Sequence, residues 1–178
     1  MDSPAPVIGF VGPSGVGKTT LLERILFLLN SWGVTAGVVK HTSHNVEADR
    51  PGKDSHRLYE AGAGAVSLSM PDQIATFTRR ATPPKLQDAL DTLPAGLDVV
   101  LVEGFLWEPI PRYVLLPHDG ADERGYLEST SVLRVIHCPL PTADAPPAFE
   151  ANLVLELATE ITDWLRAAPK RARGTLES

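Results

Sequence analysis

A glycine-rich segment near the amino terminus constrains the fold of this chain more than any other feature. Residues 12–19 read Gly-Pro-Ser-Gly-Val-Gly-Lys-Thr and fit the pattern G-x-x-x-x-G-K-[S/T] at every fixed position. The apolar run Val7–Val11 before the segment predicts a buried strand, and apolar residues at helical spacing from Leu21 to Leu29 predict a helix after it. A strand, a glycine loop and a helix in this order let backbone N–H groups surround phosphate oxygens. The segment therefore predicts a phosphate-binding site in an α/β protein.

The positions of this loop have separate predicted roles in binding a nucleotide. The glycines allow the backbone to close around phosphate oxygens, and the helix N-terminus adds about half a positive charge. Lys18 is expected to reach the β- and γ-phosphates, and the Thr19 hydroxyl is expected to ligate Mg²⁺. The full predicted set of phosphate contacts is Gly12, Ser14, Gly15, Val16, Gly17, Lys18, Thr19 and Thr20.

The rest of the chain alternates predicted strands with predicted helices. Further strands are predicted at residues 35–40, 65–70, 73–77, 99–102, 113–116 and 132–137, and further helices at 55–61, 85–93 and 153–168. Such alternation is typical of a mainly parallel sheet with helices on its faces. We therefore expect an α/β fold with three layers, of the P-loop NTPase type.

Three details refine this expected architecture. The all-apolar run Val99–Val102 should lie in the middle of the sheet, covered on both faces. The turn-rich segment 118–129 separates the strands predicted at 113–116 and 132–137, which suggests a β-hairpin-like excursion. A single nucleotide-binding domain is expected over residues 1–168, followed by a flexible tail at 169–178.

Glu103 is the second candidate functional residue because it follows the apolar strand Val99–Val102 directly. An acidic residue at the carboxyl end of a strand beside the phosphate loop holds Mg²⁺ or its water. Asp98 lies at the other end of that strand, roughly 16 Å away at about 3.3 Å per residue, and is interpreted as a strand-start residue. Lys18 and Glu103 are therefore the predicted catalytic residues, and Thr19 and Glu103 the predicted metal ligands. Gly104 would let the backbone approach the γ-phosphate.

The segment after the second predicted strand is a long polar loop with several interpretations. Lys40 and His41 end that strand on the edge of the sheet that faces a ligand, so both are predicted to contact the nucleotide. Two further interpretations are a solvated polar loop and a substrate-contacting loop, to which Arg50, Lys53 and Arg57 would add positive charge. A zinc site is disfavoured because the candidate ligands His41, His44, Asp49 and Asp54 lack a recognisable spacing.

Composition excludes several classes of partner. The formal net charge of −6 argues against broad nucleic-acid or membrane-surface binding. With a single cysteine, Cys138, the chain cannot form an intrachain disulfide.

No apolar run is long enough to cross a bilayer, and the first residues lack the features of a signal peptide, so a cytoplasmic location is expected. An N/T-K-x-D motif for reading guanine is also absent, so the residues alone do not give the preferred base.

Four segments in a fixed order resemble one family. They are GPSGVGKTTLLERIL, VVKHTSHN, DRPGKDSHRLYEAGAGAVSLS and LDVVLVEGF. This chain resembles the molybdopterin-guanine dinucleotide biosynthesis protein B (MobB) family from about Val7 to Phe105, and more weakly up to the last helix. The phosphate loop is shared by many families, whereas the later segments in this order are far more specific.

The resemblance implies a GTP-binding protein with weak Mg²⁺-dependent GTPase activity that is active as a homodimer. It also implies that the protein assists the guanylyl-transferase enzyme that joins GMP to molybdopterin. The residues that match the phosphate site are Gly12, Gly15, Gly17, Lys18, Thr19 and Thr20, and Glu103 and Gly104 match the acidic strand end. The loop matches, whose roles are open, are Lys40, His41, His44, Lys53, Asp54 and Ser55.

The chain departs from the family pattern at a few positions, and two other functions stay open. Asn45 stands where relatives often have Asp, Leu106 where they often have Lys, and Arg112-Tyr113 replaces a Lys-Ile pair. Arg112 could substitute for the missing lysine contacts. The alternative functions are a P-loop small-molecule kinase and a nucleotide-binding adaptor without significant catalysis.

Overall fold

A computed structural model describes residues 3, 5–42, 52–118, 124–128, 131–138 and 148–167 of the 178 in the chain. The strands in chain order are β1 Val7–Val11, β2 Ala36–Lys40, β3 Ala65–Ser69, β4 Ile74–Thr78, β5 Val99–Glu103, β6 Arg112–Pro117 and β7 Val132–Cys138. The helices are α1 Lys18–Ser31, α2 Asp54–Glu60, α3 Leu86–Leu90, α4 Arg124–Leu127 and α5 Ala151–Ala167. The tail predicted at 169–178 lies outside the described residues, and the division into a domain and a tail stays a prediction.

Five parallel strands form the central sheet in the order β2-β5-β1-β6-β7. All five residues of β5 are buried, which confirms the prediction that this strand lies in the middle of the sheet. Because the strands are parallel, their carboxyl ends meet along one edge. The register pairs Glu103 with Phe10 of β1 on one side and with Lys40 of β2 on the other, so the acidic strand end lies beside the start of the glycine loop.

Helices cover both faces of this sheet and create two core clusters. Val99 and Leu101 of β5 belong to a cluster with buried residues of α1 and α5. Val100 and Val102 point to the opposite face and pack in a second cluster with Leu86 and Leu90 of α3. Side chains of successive strand residues alternate between faces, so a strand buried on both sides needs apolar residues at every position. The predicted three-layer α/β fold is confirmed.

The first helix, Lys18–Ser31, contains the apolar positions from Leu21 to Leu29 that predict it. Its buried residues Leu21, Leu22, Ile25 and Leu29 recur at helical spacing and face the sheet. The helix ends at Ser31, and Gly33 follows with a φ of 75°, the left-handed backbone that commonly terminates a helix. The three other predicted helices, at 55–61, 85–93 and 153–168, correspond to α2, α3 and α5, whose ends differ from the predicted ones by one to three residues. Helix α4 was not predicted.

The hairpin lies elsewhere than the sequence suggested. Strands β6 and β7 pair in parallel within the central sheet, so the prediction of a hairpin across residues 113–137 is wrong. The connection between them is long enough for a crossover, which parallel pairing requires. Strands β3 and β4 instead form an antiparallel hairpin as a separate two-stranded sheet. No helix among the described residues is long and apolar enough to cross a membrane.

Candidate functional site

The glycine loop connects the end of β1 to the start of α1 with backbone conformations that glycine favours. Gly12 has a φ of 152°, and a Cβ placed on it would come within 2.2 Å of the Leu115 carbonyl oxygen. Gly17 has a φ of 96° and lies directly before the first residue of α1. These positions explain why the loop needs glycine at fixed places: the backbone passes close to β6 at one end and turns sharply into the helix at the other.

Lys18 lies over this loop rather than extending into solvent. Its ammonium donates to the carbonyl oxygens of Gly12 at 2.9 Å and Pro13 at 2.7 Å. Burial lowers the pKa of Lys18, the negative charge of Glu103 raises it, and the positive charge of Lys40 lowers it. Lys18 is therefore not free in solvent without a ligand, because the loop carbonyls hold its partly buried side chain in place.

Thr19 and Glu103 meet at the carboxyl edge of the sheet. The Thr19 hydroxyl donates to Glu103 Oε2 at 2.8 Å, and Glu103 is only 7% exposed. Neighbouring ligands of an octahedral Mg²⁺ with bonds of 2.0–2.1 Å lie about 2.9 Å apart, close to the separation of these two oxygens. Both are oxygen donors of the kind that Mg²⁺ prefers, so the pair fits the predicted metal site.

Lys40 reaches the same two side chains from the end of β2. Its ammonium donates to Thr19 Oγ1 at 2.9 Å and lies 3.3 Å from Glu103 Oε1. The strand register that pairs Lys40 with Glu103 accounts for this approach. The structure thus brings Lys18, Thr19, Lys40 and Glu103 together, and we call these four residues the charged cluster. The contact between Lys40 and Thr19 was not predicted from the sequence.

His41 belongs to an aromatic cluster beside the charged cluster. Its backbone N–H donates to the Glu103 carbonyl at 2.8 Å, and its ring lies 4.8 Å from that of Phe105 and 5.1 Å from that of Trp107. Trp107 is 66% exposed. Sequence reasoning missed Phe105 and Trp107, although two aromatic residues directly after an acidic strand end were a usable signal.

Gly104 allows His41 to pack against this edge of the sheet. It has a φ of 92°, and a Cβ on it would lie 2.9 Å from the His41 Cβ. Its N–H donates to the Phe10 carbonyl at 3.0 Å. The close approach of His41 and the positive φ are sufficient reasons for glycine here, and an approach of this backbone to a phosphate stays a prediction.

Arg112 does not replace a lysine that contacts phosphate. It is 2% exposed, and its guanidinium donates to the carbonyl oxygens of Leu106, Glu108 and Ile110. Burial lowers its pKa. The suggestion that Arg112 could take over such a contact is therefore wrong: its donors hold the turn that connects β5 to β6.

The other candidates are Asp98, Asp54 and residues outside the described ranges. Asp98 accepts the Thr35 N–H at 2.9 Å, which supports its interpretation as a strand-start residue. Asp54 lies 3.4 Å from Arg57 on the exposed surface of α2. Among the residues that the structure describes, no three histidine, cysteine or acidic side chains are grouped to hold a metal. His44, Asn45, Asp49 and Arg50 lie outside the described ranges.

A parallel sheet with a glycine loop between β1 and α1, and an acidic residue at the end of the adjacent strand, defines an α/β protein of the P-loop-like class. The sequence profile of the family described as "Molybdopterin guanine dinucleotide synthesis protein B" matches residues 7–137. The chain belongs to this MobB family.

Individual relatives agree with the family profile. The chain is 38% identical over 171 residues to a molybdopterin-guanine dinucleotide biosynthesis adapter protein of Escherichia coli, covering 90% of this chain and 94% of that protein. It is 33% identical over 166 residues to the protein of the same name in Haemophilus influenzae, covering 93% and 92%. The crystal structure of a MobB homolog from Bacillus stearothermophilus superposes with a TM-score of 0.67 at 27% identity, covering 91% of this chain and 99% of that chain.

Proposed function

We propose that this chain binds Mg²⁺·GTP at the charged cluster and acts as an adapter in molybdopterin guanine dinucleotide biosynthesis. The observation that carries the proposal is the contact of Thr19 with Glu103 directly beside the phosphate loop and Lys18. Two curated relatives that share most of this chain are named as adapter proteins of that biosynthesis. The family resemblance, rather than any base-reading motif, favours GTP over ATP.

The loop backbone and three members of the charged cluster have defined parts in this proposal. The loop backbone from Gly12 to Thr20 would surround the phosphates, and the Lys18 ammonium would exchange its carbonyl partners for phosphate oxygens. Thr19 and Glu103 would hold Mg²⁺, directly or through a water, and the bound ion would neutralise charge on the β- and γ-phosphates. His41 and Gly104 would line the same edge of the sheet near the terminal phosphate.

The expected hydrolysis of GTP is slow. In the proposed complex the Glu103 carboxylate is engaged by Thr19 and Mg²⁺, so it is poorly placed to accept a proton from an attacking water. No arginine side chain among the described residues contacts the charged cluster in a way that would stabilise a transferring phosphate, and buried Arg112 is committed to its own turn. We therefore expect a slow GTPase at most, in which binding rather than turnover matters.

The partners in this proposal are molybdopterin or the guanylyl-transferase enzyme that attaches GMP to it. We also propose a homodimer and a cytoplasmic location, both from the family resemblance and the sequence features given above. An adapter of this kind would act by docking to the enzyme. Nucleotide binding would control which surface of the adapter the enzyme contacts.

A reconstituted assay tests the adapter role. The guanylyl-transferase, molybdopterin and GTP would be incubated with wild-type chain, with Lys18→Ala, or with the exposed-lysine control Lys85→Ala. We expect the wild type and Lys85→Ala to raise the yield of the dinucleotide, and Lys18→Ala to lose that effect while still co-purifying with the enzyme. A phosphorylated small molecule as the main product would instead favour the kinase alternative. No effect of the wild type on yield would contradict the proposal.

A further inference from the structure

Lys40 uses the same oxygen atoms that a metal ion would need. The Thr19 hydroxyl donates its proton to Glu103 Oε2, so the lone pairs of Thr19 Oγ1 are free to accept, and Lys40 occupies one of them at 2.9 Å. The same ammonium lies 3.3 Å from Glu103 Oε1. A Mg²⁺ ion bonds oxygen at about 2.0–2.1 Å, and it would approach the same pair of side chains.

The members of this contact differ in how easily they can move. The Glu103 side chain is 9% exposed and is fixed by the Thr19 hydroxyl in the middle of the sheet edge, whereas the Lys40 side chain is 52% exposed. A long, half-exposed lysine side chain can turn toward solvent at little cost, but a nearly buried carboxylate cannot leave without losing its partners. Lys40 is therefore the movable member.

Electrostatics also favours a single cation at this pair of oxygens. A divalent ion on Thr19 and Glu103 would repel an ammonium that lies 2.9 Å from Thr19 Oγ1 and 3.3 Å from Glu103 Oε1, because like charges at such distances are costly in a partly buried site. Lys40 and a metal ion would therefore compete for these two oxygens.

We propose that Lys40 is a displaceable counter-ion that holds Thr19 and Glu103 in place until Mg²⁺ arrives with the nucleotide and takes over both oxygens. The inference rests on the proposed binding of Mg²⁺·GTP. Lys40 keeps the buried carboxylate neutralised in the nucleotide-free protein and thereby raises the Mg²⁺ concentration that the site needs. On exchange, the half-exposed ammonium turns toward solvent.

The Mg²⁺ dependence of GTP binding tests this exchange. Titrations at a series of free Mg²⁺ concentrations would compare wild type, Lys40→Met and the control Lys85→Met, which removes the same charge from the start of α3 and keeps the backbone bond from Lys85 to Asp88. We expect the Mg²⁺ midpoint of Lys40→Met to fall by about tenfold, because one charge-assisted competitor is lost. The midpoint of Lys85→Met should match that of the wild type.

A second measurement uses Mg²⁺ without nucleotide, so it does not depend on GTP binding. Millimolar Mg²⁺ should raise the thermal midpoint of Lys40→Met and leave that of the wild type unchanged. Circular dichroism checks that the variant is folded. If Lys40→Met is misfolded, both measurements are repeated with Lys40→Gln.

The outcomes separate this inference from the proposed function. If both Lys40 variants have the Mg²⁺ midpoint of the wild type while Lys18→Ala loses GTP binding, the proposed exchange of Lys40 for Mg²⁺ is overturned. The proposed GTP site is then still supported. Equal weakening of GTP binding with and without Mg²⁺ would also overturn it, since Lys40 would then be a plain phosphate ligand. Absence of GTP binding by the wild type would overturn the proposed function itself.

Discussion

At the residue scale, Glu103 organises the site because one nearly buried carboxylate contacts two functional side chains. Thr19 donates to one oxygen and Lys40 lies beside the other, while the Glu103 carbonyl accepts the His41 N–H. Thr19 lies at the start of α1, and Lys40 and His41 lie at the end of β2, so this residue of β5 connects the two segments. A change at Glu103 should therefore affect metal and nucleotide binding more than it affects folding.

Substituting Glu103 by glutamine tests this role. The Glu103→Gln variant keeps the size of the side chain and can still accept the Thr19 hydroxyl, but it removes the negative charge that would hold Mg²⁺. We expect GTP binding to lose most of its dependence on Mg²⁺, and to weaken by roughly 10-fold or more at millimolar Mg²⁺. Calorimetric titration with and without Mg²⁺ measures both effects.

The exposed residue Glu60 provides the matched control. Glu60→Gln removes the same charge from the end of α2 and should bind Mg²⁺·GTP like the wild type. If Glu103→Gln also keeps the Mg²⁺ dependence of the wild type, the assignment of Glu103 to the metal is wrong.

At the element scale, polar contacts connect α5 to the strands beneath it. The Tyr113 hydroxyl of β6 donates to Glu160 at 3.1 Å, and Arg134 of β7 pairs with Glu160 at 2.8 Å and Glu156 at 3.1 Å. Burial, together with the charge and hydrogen bond of Glu160, raises the pKa of Tyr113, so this hydroxyl stays protonated at physiological pH. These contacts fix the helix on the outer strands of the sheet.

Removing the Tyr113 hydroxyl tests how much this connection stabilises the fold. Tyr113→Phe keeps the buried ring and its packing on Phe10 but loses the bond to Glu160. We expect the free energy of unfolding to fall by about 0.5–1.5 kcal/mol, the usual net value of such a bond. Urea denaturation measures the change. Tyr59→Phe, which keeps the ring against Arg79, should stay within about 0.5 kcal/mol of wild type, and an equal loss in both variants would contradict the account.

The sequence predicted some elements well and others poorly, for physical reasons. Strand β1, the glycine loop and α1 were predictable because local signals, from apolar periodicity to the terminating Gly33, all agree. The parallel direction of β6 and β7 was not predictable, since apolar strand residues and a turn-rich connection do not distinguish parallel from antiparallel pairing. At the site, Thr19 followed from the glycine-loop pattern and Glu103 from its position at a strand end. The Lys40–Thr19 bond and the inward turn of Arg112 depend on side-chain directions that spacing does not give.

At the scale of the whole molecule, an acidic chain concentrates positive charge at one edge of its sheet. The formal net charge is −6, yet Lys18 and Lys40 both lie beside Glu103, where the glycine loop and the start of α1 add further positive potential. The parallel topology produces this arrangement, because it brings the carboxyl ends of β1, β2 and β5 together. The exposed Trp107 lies next to this edge, so a bound nucleotide would be close to a surface that a partner enzyme can contact.

Calorimetric titration of GTP and of ATP with Mg²⁺ tests the proposed binding of Mg²⁺·GTP at the charged cluster, using the wild type, Lys18→Ala and the control Lys85→Ala. Lys18→Ala removes a charge-assisted phosphate contact worth about 1.5–3 kcal/mol, so we expect roughly 10- to 150-fold weaker binding of GTP. We expect the wild type and Lys85→Ala to bind GTP more tightly than ATP, and Lys18→Ala to show this weakening while keeping its circular dichroism spectrum. Unchanged affinity of Lys18→Ala, or a preference of the wild type for ATP, would contradict it.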